Sequence, residues 1–120
     1  MFVYMLLCRD GSIYTGVAAD LMRRMRDHFE RTASVAAYTR AKGASYLLGA
    51  WECQSRSVAL RAEYAIKRLS RKEKEELLAE PTRLGGACFP TLDGEALLPL
   101  REDDERLLAV RAAYPQKTDP

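Results

Sequence analysis

Two tyrosines, Tyr4 and Tyr14, an arginine and a histidine, Arg24 and His28, and one acid, Glu63, are the residues of this chain whose types and placement could do chemistry. A phenol titrating near ~10 is a weak base at neutral pH unless positive charge beside it lowers its pKa. A guanidinium is a permanent fork of donors for an oxyanion, and an imidazole can carry a proton near neutrality. Each residue also has a plainer reading. Tyrosines suit strands through packing alone. Arg24 is one of three arginines within positions 23–26, and His28 is the sole histidine of the chain and so a candidate polar edge residue. Glu63 lies four residues before Lys67, the spacing of a surface ion pair on a helix.

The elements that must position these groups follow from local pattern. Residues 2–8 and 12–17 are rich in β-branched, aromatic and apolar types and flank Asp10-Gly11, a hairpin signal because a tight turn needs residues that accept positive φ. Gly16 ends the second strand where a side chain would obstruct a close approach. Asp20 is a fitting N-cap for a helix over 21–30 with Leu21, Met25 and Phe29 as its apolar stripe. Arg24 and His28 follow Leu21 and Met25 by three residues, so they are expected at the edge of the core. A long, small-residue and basic loop runs to residue 45, with a short helical turn expected near 35–38 and Gly43 as punctuation. Residues 45–53 predict a third strand, with Gly49 at a bulge or close contact. Ser57 is expected to cap a helix over 58–69, with Glu63 at the margin of its buried stripe, where an acid can face a groove. Ser70-Arg71-Lys72-Glu73 is a capping box that starts another helix over 71–79, stopped by Pro81. The rest is expected to be irregular up to an amphipathic helix over 102–113, with Leu107, Leu108 and Val110 available for docking.

Composition narrows the classes. At 120 residues, 48% apolar and 30% charged, the chain suits one globular domain, and its apolar runs are too short for a membrane span. The first residues read as a strand and not a signal peptide. Cys8, Cys53 and Cys88 are scattered and odd in number, which argues against a disulfide framework or a zinc site and for a reducing cytoplasm. Residues 1–80 carry 14 Lys/Arg against 10 Asp/Glu, whereas 81–120 carry 5 against 7. The densest basic stretch, Arg23 to Lys42, suits a polyanion or, equally by charge alone, a solvated helix face.

In order and spacing these residues resemble the GIY-YIG nuclease domain, and within that superfamily the small stand-alone type. The first motif corresponds to Val3-Tyr4-Met5 and the second to Tyr14-Thr15-Gly16. The likeness continues through Leu21 to His28, Tyr38-Thr39-Arg40, and Ala59 to Ser70. It covers residues 1 to about 80 and not the last forty. The fold it implies is α+β, an α/β sandwich built on a three-stranded antiparallel sheet that starts with a hairpin and is flanked by helices. The corresponding division is a nuclease-like domain over 1–80 and an extension over 81–120 with one helix.

The resemblance implies a metal-dependent endonuclease that hydrolyses phosphodiester bonds of DNA, selective for branched or damaged structures and linked to repair or recombination. Glu63 would bind one divalent ion, Mg²⁺ or Mn²⁺, of the kind that keeps most of its waters. Tyr14 would be the base or the positioner of the attacking water, Tyr4 would orient water or phosphate, Arg24 would stabilise the phosphate, and His28 would share proton transfer or phosphate contact. Gly16, Arg23, Tyr38, Arg40 and Lys67 complete the expected DNA contacts, made to backbone and shape. The chain departs from the pattern in three ways. Its first motif is Val-Tyr-Met, Val17 stands where the excision-repair nuclease subunit has lysine, and there is no asparagine anywhere. The alternative is a non-catalytic nucleic-acid-binding module using the same basic groove. The extension is the expected seat of a protein partner or of a second copy of the chain.

Overall fold

The computed structural model describes residues 1–32, 41–85 and 96–116. Strand β1 (Phe2–Cys8) is central in a four-stranded antiparallel sheet of order β2-β1-β3-β4, with β2 at Ile13–Ala18, β3 at Ala44–Cys53 and β4 at Leu97–Pro99. Because successive side chains of a strand point to opposite faces, β1 feeds two cores. Phe2, Tyr4 and Leu6 face helices α1 (Leu21–Glu30) and α4 (Glu105–Ala113), meeting Leu21, Met25, Phe29, Leu107 and Val110. Val3 and Met5 face helices α2 (Arg56–Lys67) and α3 (Arg71–Ala79), meeting Trp51, Val58, Ala62, Ile66 and Leu77. The α+β sandwich expected from the sequence is therefore present. None of the helices among the described residues is long and apolar enough to cross a membrane.

Local signals act where the sequence places them. The Asp20 carboxylate accepts from the Arg23 N–H at 3.1 Å and starts α1. Ser70 and Glu73 form the reciprocal capping box of α3. The hairpin loop is one residue longer than a two-residue turn. Gly11 N–H donates to the Cys8 carbonyl at 3.0 Å and Cys8 N–H to the Ser12 carbonyl at 2.8 Å, so Gly11 alone takes a positive φ, +87°. Asp10 contributes instead through its side chain, which accepts from the Ser12 N–H. This is the glycine-bulge form of a hairpin, which suits the strand twist equally well.

Three expectations are corrected. The sheet has four strands and not three, because Leu97–Pro99 pairs with Trp51–Cys53. A three-residue strand ending in proline reads as irregular, yet proline is tolerated on an edge strand. Helix α2 starts earlier than expected, since Ser55 and not Ser57 accepts from the Val58 N–H, at 3.2 Å. Helix α4 begins at Glu105, capped by Asp104. The residues after Pro81 also contribute to the interior: Leu84, Ala96 and Leu97 join one core, and Leu100, Leu107 and Val110 the other.

One contact ties α4 to β3. The pairing with β1 slips between Met5–Gly49 and Leu6–Leu47, leaving Leu48 as the extra residue of a bulge next to Gly49. Arg111 answers it: its Nε donates to the Leu47 carbonyl at 3.1 Å and its Nη2 to the Leu48 carbonyl at 3.0 Å, with the guanidinium 4.9 Å from the Tyr46 ring centre.

Candidate active site

The register sets Tyr4 opposite Gly16 and Tyr14 opposite Leu6, so both phenols rise from the sheet face that α1 covers. Gly16 provides their room. A Cβ there would lie 2.5 Å from the Tyr4 hydroxyl oxygen and 2.9 Å from the Tyr14 ring. One turn of α1 then brings Arg24 and His28 over the pair. The His28 ring meets both phenols edge-on, with centroids 5.6 Å from Tyr4 and 5.4 Å from Tyr14, while the two tyrosines stand 6.4 Å apart. The Tyr4 hydroxyl and His28 Nε2 are 2.6 Å apart.

The electrostatics of this triad keep both partners of that contact uncharged. Burial pushes the Tyr4 phenol well above its usual range, and the neighbouring Tyr14 adds to the rise. A hydrogen bond and the charge from Arg24 oppose it, and the Glu63 carboxylate adds a smaller upward push. Burial lowers His28 from 6.5 to about 4, helped by the Arg24 charge and opposed by Asp27. At neutral pH both rings are uncharged, so the 2.6 Å contact joins a phenol to a neutral imidazole. The Tyr4 oxygen serves as an acceptor for Arg24.

Glu63 comes from the other helical layer. Helix α2 packs against the opposite face of the sheet, and its margin passes round the edge strand β2 to reach the phenols. Lys67 Nζ lies 5.9 Å from the Tyr14 ring centre and 3.5 Å from the Glu63 carboxylate. The surface pair anticipated from the i,i+4 spacing is thus formed. With Lys67 half exposed it is worth under ~1 kcal/mol, too little to hold the carboxylate against a divalent ion. No group of three or more His, Cys, Asp or Glu among the described residues could share an ion. A site with several protein ligands therefore does not fit here. One accessible carboxylate beside two phenols fits a hard ion that keeps most of its waters.

Tyr4, Tyr14, Arg24, His28, Glu63, Gly16 and Lys67 are thus brought to one corner. His28 and Tyr4 have no exposed surface, so His28 is not the edge residue expected from its place beside the apolar stripe, and what the Tyr4 hydroxyl touches is protein. The reason is Gly16, whose missing side chain lets Tyr4 lie flat under α1. Arg23 is exposed near the N-terminus of α1. Tyr38 and Arg40 lie outside the described residues. Two participants were not singled out from the sequence. Asp27 pairs with Arg24 at 3.7 Å, and its i,i+3 spacing was the available signal. Arg56 opens α2 beside Arg23 and Arg24, and only a correct helix start would have shown it.

Comparison with known proteins identifies the family. Residues 1–76 match the family model of the GIY-YIG catalytic domain, and the chain belongs to the GIY-YIG family, a family of nucleases. Similar proteins include UPF0213 protein BH0048 of Halalkalibacterium halodurans, 42% identical over 78 residues that span 65% of this chain and 81% of that protein. UPF0213 protein FN1575 of Fusobacterium nucleatum is 40% identical over 67% of this chain and 78% of its own. The solution NMR structure of UPF0213 protein BH0048 from Bacillus halodurans is 40% identical, covers 75% of this chain and 90% of that one, and superposes with a TM-score of 0.44.

Proposed function

We propose that this protein is a divalent-metal-dependent DNA endonuclease that hydrolyses phosphodiester bonds, selects branched or damaged DNA by backbone and shape, and acts in repair or recombination in the cytoplasm. The observation that carries the proposal is that Tyr4, Tyr14, Arg24 and Glu63, drawn from four elements and two helical layers, converge at the β2 edge. A purely binding surface has no use for an acid beside a phosphate site.

Each residue then has a task. Arg24 neutralises charge on the phosphoryl oxygens, and the Tyr4 hydroxyl, fixed by His28, holds the guanidinium at its working position. Tyr14, partly exposed at the rim, is the positioner of the attacking water or, as the phenolate, the base that takes its proton. Glu63 would hold Mg²⁺ or Mn²⁺, which when bound supplies charge neutralisation at the phosphate and support for the leaving oxygen. Lys67 and Arg23 contact flanking phosphates, joined by Tyr38 and Arg40, which follow α1 in the sequence. A protein partner or second copy on the extension would meet Leu98 and Leu108, which are exposed, while Leu107 and Val110 are spent in the core.

The test is a nicking assay on linear, flap and junction DNA with and without Mg²⁺, run on wild type, Glu63→Gln, Arg24→Ala and Tyr14→Phe. Cleavage should fall by about 10²- to 10⁴-fold in each variant, while salt-sensitive DNA binding survives. Metal-independent cleavage that persists in Glu63→Gln would remove the metal assignment. The Glu63–Lys67 ion pair favours the second reading, a nucleic-acid-binding module without turnover. A wild type that binds all three substrates and cuts none would establish it.

A further inference from the structure

Beside the candidate active site, an open cleft of about 330 Å³ lies between α1 and the start of α2, and its lining includes Val17, Asp20, Arg23, Arg24, Asp27 and Arg56. Arg24 belongs to both places, so the cleft continues the site and is not a separate hollow. The two carboxylates are already engaged: Asp20 caps α1 through the Arg23 N–H, and Asp27 pairs with Arg24 and accepts from the Thr32 hydroxyl. Arg23 and Arg56 are exposed, and among the described residues neither is held in an ion pair.

The charge placement is a second observation. A helix N-terminus carries partial positive charge and favours acids in its first turn. The first turns of α1 and α2 contain none; they contain Arg23, Arg24 and Arg56 instead. Asp20 and Asp27 offset the α1 end and Arg24, which leaves the α2 end, Arg23 and Arg56 as the uncompensated positive charge facing the cleft, and a bound anion relieves it.

We propose that this cleft seats a backbone phosphate of the bound strand, held by Arg23 and Arg56, two to three nucleotides from the phosphate at Arg24 and Glu63. The proposal rests on the DNA-binding reading above and adds the path of the strand. Arg56 precedes Glu63 by seven residues, about 10 Å along α2. A strand running beside that helix presents one phosphate per ~3.4 Å of axis, which sets the spacing.

The test measures binding of the full chain to a labelled DNA duplex in EDTA across a salt series, with Arg23→Ala, Arg56→Ala and, as a control at the β4 end of the sheet, Arg101→Ala. Removing one phosphate contact should lower the slope of log K against log salt by about 0.9. The affinity gap to wild type then narrows about threefold between roughly 50 and 200 mM salt, while Arg101→Ala keeps the wild-type slope. Replacing phosphates one at a time by neutral methylphosphonate should reveal positions that weaken wild type and leave Arg56→Ala unaffected. Where cleavage can be mapped, these positions should lie two to three nucleotides from the cut. Unchanged slopes in both arginine variants with unaltered melting overturn the proposal, as does a wild type without salt-dependent binding. A wild type that binds with these slopes but never cuts removes the nuclease reading and leaves the phosphate seat standing.

Discussion

His28 has no exposed surface and its Nε2 lies 2.6 Å from the Tyr4 hydroxyl, so protonating the ring puts a charge into the core beside Arg24. The ring binds protons less readily in the folded chain, about 4, than at its ordinary 6.5. Between those values the unfolded chain carries more protons, so stability rises with pH across the window and is lost as the pH falls through it. The drop from 6.5 to about 4 corresponds to roughly 3 kcal/mol in full. By linkage, about 2 kcal/mol of this is gone by pH 5 relative to pH 8. For a domain of this size that is a fall in melting temperature on the order of 5–10 °C. His28 is the only histidine, so its ring protons titrate unambiguously by NMR without any substitution. A midpoint near 4 that tracks the loss of stability is expected. A midpoint near 6.5 with no accompanying destabilisation would refute the buried Tyr4–His28 pair.

Gly16→Ala should place a methyl against the Tyr4 hydroxyl at 2.5 Å, destabilising by about 1–3 kcal/mol. It should reduce cleavage more than DNA binding, because it displaces Tyr4 from His28 and Arg24; thermal melting and paired cleavage and binding assays check both effects. Arg111→Ala leaves the Leu47 and Leu48 carbonyls without their donors and should cost about 2–3 kcal/mol in urea unfolding, with wild-type DNA affinity per folded molecule. Truncation after Glu80 removes Leu97, Leu100, Leu107 and Val110, all buried. At about 1.5–3 kcal/mol each their loss consumes most of the ~5–15 kcal/mol typical of a domain, so cooperative melting should disappear; a truncated chain with a wild-type transition would show that the extension is dispensable.

The parts of the fold legible in the sequence are those encoded within a few residues: the hairpin around Gly11, the Asp20 cap, the Leu21–Met25–Phe29 stripe and the Ser70–Glu73 box. What was not legible depends on partners far away. The Tyr4–His28 bond joins positions 24 apart, and nothing local to a lone histidine announces a buried phenol. Two serines, Ser55 and Ser57, compete for one helix start, and the choice decides whether Arg56 faces the cleft. The strand at Leu97–Pro99 has too few residues for an alternating pattern and is recognisable only from the free edge of β3 it pairs with. The candidate set is visible as an ordered series of residue types, but its separation into a buried layer, Tyr4 and His28, and a rim, Tyr14 and Glu63, requires the packing.

That separation bears on why the site and β4 lie at opposite edges of one sheet. Helix α2 can bring Glu63 to Tyr14 only round a strand that has no neighbour beyond it, and β2 is such a strand among the described residues. An open strand edge invites unwanted pairing, and a sheet of three strands would have a second one at β3. The extension pairs that edge through β4 and locks the β3 bulge through Arg111, so β3 is covered while the β2 end stays clear for a charged backbone to approach. The described residues of the extension, which lie beyond the 1–76 that match the family model, thereby support the fold that holds the candidate site. Substitutions in β4 or α4 should accordingly change stability and leave the salt dependence of DNA binding as it is, whereas substitutions along the α1–α2 cleft should do the reverse.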